Sequence, residues 1–533
     1  MEAGRARVLV IDDDPQVGPD VKAMLDGDRY EVWTVPGQGH ELLEEALKLA
    51  SNVRPHVAVV DLRLLDSYRY DQSGLKLIQE LPSARRIVYS AYLGHDVTRN
   101  VRDLDSDWIS KEENPAQLVE AIERSARQNC AAIRGWSARW SCQWDGTRVV
   151  QALFGGETDL PPATVDDVLC QLFPQARQVI LQTVPGDVVT PPPISRRRSI
   201  VLKAFPDNLE PVVVKLAPSA DIRIEVESYH TYIHRRLGGR FYAQLDRSIG
   251  FWDLGGATYG FLDAPFESLS PFSSFYHANS SATTICRPLR RFFKTVWHRH
   301  YTESARPDTT PLFDLYNAAF DLERHLSRLE TSQRQLTFPG LTFPLTNPVS
   351  WAIRHRDQSL IPGTRQAVTH GDLHGDNLFV DAQNAWAIDF ERTRPGHILR
   401  DFIELEVDIT TRLADWGSDE IGPFLRYVCA LFAPLKPARR LALSSEVSAH
   451  QEALKALKVV EQLRRIASEV TAYRDQREHT WGLLLNAVYV AALLPEYAPQ
   501  RTRALLLAAV ACERLQRWNG SKEWPPAEWG STD

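Results

Sequence analysis

Short apolar runs punctuate the first 128 residues: RVLVI (7–11), YEVWTV (30–35), HVAVV (56–60) and RIVYS (86–90). Each is rich in β-branched residues and too short for a helix, so each predicts a buried strand. Between them, HELLEEALKLA (40–50) and GLKLIQEL (74–81) carry amphipathic helical patterns. NPAQLVEAIERSAR (114–127) closes the set, with Asn114 as N-cap and Pro115 as first helical residue. Alternation of this kind predicts a parallel sheet covered by helices on both faces.

The pattern then loosens. WSARWSCQWDG (136–146) spaces three tryptophans four residues apart, which predicts an apolar stripe docking a linker helix; an aromatic ligand cage is the alternative. TVDDVLCQLF (164–173) has the form of a capped helix, and QVILQTV (178–184), SIVLKAF (199–205) and PVVVKLA (211–217) that of three antiparallel strands. ADIRIEVESYHTYIHRRLGG (220–239) predicts a helix ended by its glycines, and ATYGFLDA (257–264) a further strand and its exit. From about 265 the periodicity is mostly helical, densest over 452–517, and the polar tail 519–533 predicts frayed chain. LLLNAVYVAALL (483–494) is too short to span a bilayer and predicts a buried helix, so no membrane association is expected. CRPLRRFFKTVWHRHY (286–301) interleaves basic and aromatic residues, which predicts an amphipathic helix with a solvated basic face; binding of an anionic partner or nucleic acid is the alternative.

At 533 residues the chain is too long for one ordinary core, and two or three domains are expected. A net charge of −7 gives no overall attraction to nucleic acid or anionic membrane. The six cysteines are scattered, with no C-x-x-C pair, which favours thiols in a reducing compartment. The N-terminus turns straight into a strand pattern, without an apolar signal segment. Together these features predict a cytoplasmic location.

Chemistry-bearing residues gather after the strands. Asp12, Asp13 and Asp14 follow the first and Asp61 the third, Ser90 ends the fourth, and Lys111 follows WIS (108–110). In an open α/β sheet, ligands bind beyond the carboxyl ends of the strands. Clustered carboxylates repel unless a cation separates them, and Mg²⁺ prefers such oxygen ligands. One carboxylate can then attack a phosphoryl group, with lysine and hydroxyl balancing the incoming charge.

Residues 5–128 thus resemble a two-component response-regulator receiver domain, with a doubly wound, five-stranded parallel sheet. The resemblance implies Asp61 as phosphoacceptor, Asp12 and Asp13 as Mg²⁺ ligands beside Asp61, Ser90 as switch hydroxyl, Lys111 as charge-sensing lysine and Trp108 in the place of the aromatic switch residue. It also implies a cognate histidine kinase as partner. Two features depart from the family pattern: DSYRYDQSG (66–74) is long, and Glu112 stands where a proline is usual.

A second constellation lies in THGDLHGDNLFV (369–380). His370 and His374 are four apart, as in helical zinc motifs, but Gly371 and Gly375 disfavour a helix and no third ligand stands out. His370, Asp372 and Asn377 instead reproduce the spacing of a kinase catalytic loop. In that chemistry an aspartate orients the attacking hydroxyl and takes its proton, and an asparagine offers a metal a neutral oxygen. A second aspartate, here Asp389 in AWAIDFE (385–391), reaches the metal from beyond a hairpin. Upstream, Lys215 on a strand and Glu225 on the next helix, with Glu227 as alternate, supply the lysine–glutamate pair that holds nucleotide phosphates.

The wording HGDLHGDN…IDFE resembles the aminoglycoside and choline phosphotransferases, relatives of the protein kinases. IDFERTRPGHILRDFIELEVDI (388–409) is similar to kinase-like ternary-complex-associated domains of bacterial multi-protein systems. The resemblance, over about 160–515, implies an α+β, two-lobed protein-kinase-like domain with a large helical C-lobe. It makes Asp372 the catalytic base, Asn377 and Asp389 the Mg²⁺ ligands, Lys215 and Glu225 the nucleotide-binding pair, and Asp401 an anchor of the loop. ATP or GTP would be the donor, a small molecule or a protein the acceptor, and other proteins of a multi-component bacterial system the partners. The expected order is a receiver over 1–128, a Trp-rich linker over 129–160, an N-lobe over 161–264, a C-lobe over 265–517 and a tail over 518–533. The nucleotide-covering loop should be glycine-rich, yet PGDVVTPPPISRRR (185–198) keeps only Gly186 and stiffens with prolines. Arg196, Arg197 and Arg198 would then be either phosphate clamps or an exposed basic loop. The chain is therefore expected to be a receiver-regulated phosphotransferase or, alternatively, a nucleotide-binding pseudokinase scaffold.

Overall fold

The computed structural model describes residues 4–65, 71–91, 106–156, 158–184, 198–237, 242–260, 269–329, 331–357, 363–417, 421–433, 450–518, 524–526 and 529. The chain divides into two compact units, Met1–Ile224 with Leu245–Gly260, and Glu225–Gln244 with Phe261–Asp533.

In the first unit, β1 (Ala6–Ile11), β2 (Tyr30–Thr34), β3 (Val57–Val60), β4 (Arg85–Ser90) and β5 (Asp107–Ser110) form a parallel sheet in the order β2-β1-β3-β4-β5. The side-chain alternation of a strand sends neighbours to opposite faces. Val57 and Val59 accordingly enter one core, with helices Val17–Met24 and Pro115–Asn129, while Ala58 and Val60 enter another, with helices Gly39–Val53 and Ser73–Gln79. Burial on both faces is why these strands read as unbroken apolar runs. Helix Pro115–Asn129 starts as expected: the Asn114 side chain accepts from the Ala116 amide at 3.0 Å and Pro115 follows.

A second sheet of the same unit runs β10-β11-β9-β8-β7-β6, comprising β6 (Ser137–Trp140), β7 (Gln178–Thr183), β8 (Ile200–Pro206), β9 (Val212–Pro218), β10 (Gln244–Phe251) and β11 (Leu254–Gly260). β7, β8 and β9 pair antiparallel as expected, and β11 joins β9. The tryptophan segment overturns its expectation. It forms no linker helix: β6 pairs parallel to β7 as an edge strand. Trp136 and Trp144 are buried in the core beneath this sheet and Trp140 packs against it, together with helices Gly146–Phe154 and Ala163–Leu172. A spacing of four suits one face of a strand as well as one face of a helix, and here tertiary packing decides. Helix Ala163–Leu172 forms, but no side chain caps it. The predicted helix over 220–239 is shorter: Ser219–Ser228 continues into one wider turn, Tyr229–Ile233, and ends at His234. Gly238 and Gly239 lie outside the described residues, as do 185–197 with Gly186, Arg196 and Arg197, residues 66–70, and most of the tail.

The second unit is largely helical. Long helices Gln451–Thr471 and Gln476–Leu493 pack on helix Arg400–Asp408, Pro499–Gln516 packs along Gln476–Leu493, and short antiparallel ribbons frame residues 364–397. Helix Gln476–Leu493 is buried nearly all round, as its uniform hydropathy demands. Among the described residues no helix is long and apolar enough to cross a membrane. No disulfide joins any of the six cysteines.

Burial leaves a pH signature in this unit. His300 is 5% exposed, and burial pushes its pKa down to about 4, against weaker opposing pulls from the Tyr232 backbone and Asp401. A depressed histidine favours the folded state above its unfolded pKa near 6.5, and that contribution is lost as pH falls toward 4. Between pH 7 and pH 5 the loss is expected to be on the order of 2 kcal/mol. Urea midpoints at the two pH values should show it in the wild type and less of it in His300→Gln.

Candidate functional site

The receiver-like sheet brings its acidic residues to one edge because each follows the carboxyl end of a parallel strand. Asp12 follows β1, Asp61 follows β3, and both are nearly buried, while Asp13 is exposed. Carboxylate oxygens of Asp12, Asp13 and Asp61 all lie within 4.8 Å of one another. Lys111, just beyond β5, places its Nζ 2.6 Å from Asp61 Oδ2 and 2.8 Å from Asp12 Oδ2. Its backbone N–H donates to the Ser90 carbonyl at 3.1 Å, fixing it beside β4. Burial pushes the Asp12 carboxyl up to about 6, against the pull of Lys111. Burial also lowers the Lys111 ammonium, but its bonds to Asp12 and Asp61 leave it raised.

Close backbone packing shapes the same edge. A side chain at Gly74 would begin 1.9 Å from the Asp61 carbonyl oxygen, so only glycine fits there. Ser90 is buried at the end of β4. Trp108, half-buried on β5, packs against the core with its indole N–H enclosed and without a hydrogen-bond partner among the described residues. The clustered carboxylates of Asp12, Asp13 and Asp61 form an oxygen donor set that suits a hard divalent cation.

The second candidate lies in the second unit, on the segment between strands Thr364–Thr369 and Leu378–Val380. Gly371 has φ +81°, and a Cβ there would sit 2.4 Å from the Arg392 carbonyl oxygen. Side chains of helix Arg400–Asp408 hold the loop. Asp401 accepts from the His370 amide and the Gly371 amide, each at 2.9 Å, and from Tyr301 Oη at 2.6 Å. Glu404 accepts from the Leu373 amide and Asp408 from the Gly375 amide, both at 2.8 Å. Residues 401, 404 and 408 share one helical face, so three buried carboxylates in a row meet successive loop N–H groups. Asp401 is the anchor that the resemblance implied. Glu404 and Asp408 went unnoticed, although acids spaced three and four apart in an apolar helix are the signal to look for.

This scaffold fixes the chemistry-bearing groups. Asn377 Nδ2 donates to the Asp372 carbonyl at 2.8 Å, which commits its amide nitrogen and fixes the side-chain oxygen as the other end of the group. His370 is buried, and its Nε2 lies 2.9 Å from the Ile388 carbonyl. The Ile388 amide in turn donates to the Asn377 carbonyl at 3.0 Å, so the hairpin that delivers Asp389 is tied to the loop at both ends. Asp389 itself has φ +68°. Glu225 accepts from the next amide, Phe390, at 3.3 Å.

Asp372 has about a third of its side chain exposed and lies 3.5 Å from Arg392 Nη1. Burial pushes its pKa up, but Arg392 and then His374 outweigh this and hold it below the usual carboxylate range. It is therefore ionised near neutral pH, as a proton acceptor must be. Lys215 is buried on β9, in the first unit, where it pairs with Ala257 and Val201. Among the described residues, no group of three metal-ligating side chains includes His370 or His374.

The strand order β2-β1-β3-β4-β5 with acids at its carboxyl edge defines the class of the N-terminal module: a receiver-like, doubly wound α/β fold. It is joined to a largely helical C-terminal region, of which residues 320–493 match the family described as ternary complex associated domain 9. Among solved structures, the chain is similar to a CheY-like response regulator receiver domain protein from Methanospirillum hungatei JF-1, at 24% identity over 23% of this chain and 93% of that one, with a TM-score of 0.20. It is also similar to a response regulator from Thermotoga maritima, at 22% identity over 23% of this chain and 98% of that one, with a TM-score of 0.20. The fold class rests on strand order and not on these likenesses. No curated protein matches the chain.

Proposed function

We propose that the chain is a receiver-regulated phosphotransferase. The observation that carries this reading is the loop 370–377, where an ionised Asp372 is fixed next to Asn377 and a hairpin tied to the same loop presents Asp389. In the proposed reaction an acceptor hydroxyl gives its proton to Asp372 as its oxygen bonds the terminal phosphorus of ATP or GTP. The bond from that phosphorus to the bridging oxygen breaks, and the nucleoside diphosphate leaves. Asn377 and Asp389 would hold Mg²⁺, which supplies charge neutralisation to the phosphates. Lys215 would bind nucleotide phosphates, and Glu225 would orient it.

In the receiver module Asp61 would take a phosphoryl group from a cognate sensor histidine kinase, with the phosphorus–nitrogen bond of the donor breaking as the aspartyl phosphate forms. Asp12, Asp13 and Asp61 would hold Mg²⁺ there, Lys111 would pair with the new charge, and Ser90 and Trp108 would respond to it. The acceptor is a small molecule or a protein, other proteins of a multi-component system are the proposed partners, and the match to a ternary complex associated domain agrees with association in a complex.

A second reading, a nucleotide-binding pseudokinase scaffold, is favoured by the glycine-poor, proline-rich segment 185–198. Both readings require nucleotide binding. ATP with Mg²⁺ at about 100 times its Kd should stabilise the protein by about 2.7 kcal/mol and raise its melting temperature. Product formation from ATP then favours the phosphotransferase, and a shift without product favours the scaffold. No shift with either ATP or GTP would contradict both.

A further inference from the structure

We infer that the receiver module signals through the edge of its sheet opposite Asp61, where His56 and Asp167 lock it to the second sheet of the same unit. β3 carries both ends of this device: Asp61 follows its last residue and His56 precedes its first, roughly 17 Å apart at strand rise. His56 Nε2 lies 2.9 Å from Asp167 Oδ2 on helix Ala163–Leu172, and both side chains are buried. The Arg7 amide donates to His56 Nδ1 at 2.9 Å, which places the imidazole proton on Nε2, aimed at the carboxylate. The other oxygen of Asp167 accepts from the Ala131 amide at 3.0 Å.

More contacts converge there. The His56 ring stacks on Phe251 with centroids 5.3 Å apart. At the β10–β11 turn, Trp252 takes φ +54°, a costly conformation for a bulky residue. Its amide donates to Ser83 Oγ at 2.9 Å and its indole to the Pro55 carbonyl at 3.1 Å. Arg54 pairs with Asp253 at 2.8 Å. The helix bearing Asp167 packs under β11: a Cβ at Gly256 would meet Leu172 at 2.7 Å and Val168 at 3.1 Å. Ala257 of β11 pairs with Lys215 of β9.

His56, Cys130 and Asp167 also lie close together, and within this group both Asp167 oxygens are already engaged, by the His56 ring and the Ala131 amide. A buried carboxylate is costly without partners, and this one finds its partners across the junction of the two sheets. His56 and Asp167 are thus positioning residues.

The inference rests on Asp61 as phosphoacceptor, and hydrogen exchange on the full chain tests the two separately. After acetyl phosphate and Mg²⁺, with phosphorylation counted by intact mass, amide exchange over residues 163–172 should change by about twofold or more. In Asp167→Asn, which keeps the side-chain shape, phosphorylation should persist and that change should vanish. Phosphorylation with unaltered exchange at 163–172, or an equal change in Asp167→Asn, overturns the inference alone. Absence of phosphorylation overturns the Asp61 reading and the inference with it.

Discussion

Asp372→Ala is expected to lower phosphoryl transfer from ATP by roughly 10²–10⁴-fold, the usual loss when a positioned general base is removed. The loss should come without unfolding. Asp401, Glu404 and Asp408 anchor the loop, and Asn377 bonds the backbone carbonyl of Asp372, which alanine retains. The Asp372 side chain contributes a 3.5 Å contact with Arg392, at a partly exposed position. Consumption of labelled ATP by variant and wild type at equal concentration checks the rate, and thermal melting checks the fold. Equal rates would remove Asp372 from the chemistry.

Asp61→Asn is expected to abolish phosphoryl uptake from acetyl phosphate, because an amide oxygen is too weak a nucleophile to replace the carboxylate. The edge should survive the change. Lys111 keeps its 2.8 Å pairing with Asp12, and the repulsion between Asp12 and Asp61 is removed. Intact mass after acetyl phosphate treatment reads the result directly. Label retained in the variant would place the acceptor elsewhere.

Sequence pattern reached the receiver module almost whole, for a physical reason. Strands buried on both faces must be apolar throughout, so RVLVI and HVAVV stand out, and acids immediately after them can only gather at one edge. The strands holding Lys215 and the hairpin before Asp389 were legible on the same grounds. β10 was not, since QLDRSIGF is half-exposed and has no apolar run. The tryptophan segment was misread because a period of four leaves strand and helix unresolved until neighbours are known. Glu404 and Asp408 drew no reading from the sequence, because only the fold shows the loop amides that they meet. The His56–Asp167 pair, 111 residues apart, leaves no local trace at all.

The central claim couples the two carboxylate sites, and one rate tests it. Transfer of the terminal phosphate of labelled ATP, in Mg²⁺, should be measured on the full chain before and after acetyl phosphate. The account predicts product in the wild type, a rate that changes on phosphorylation, and no such change in Asp61→Asn. No product above the Asp372→Ala background, or a wild-type rate indifferent to acetyl phosphate, would contradict it.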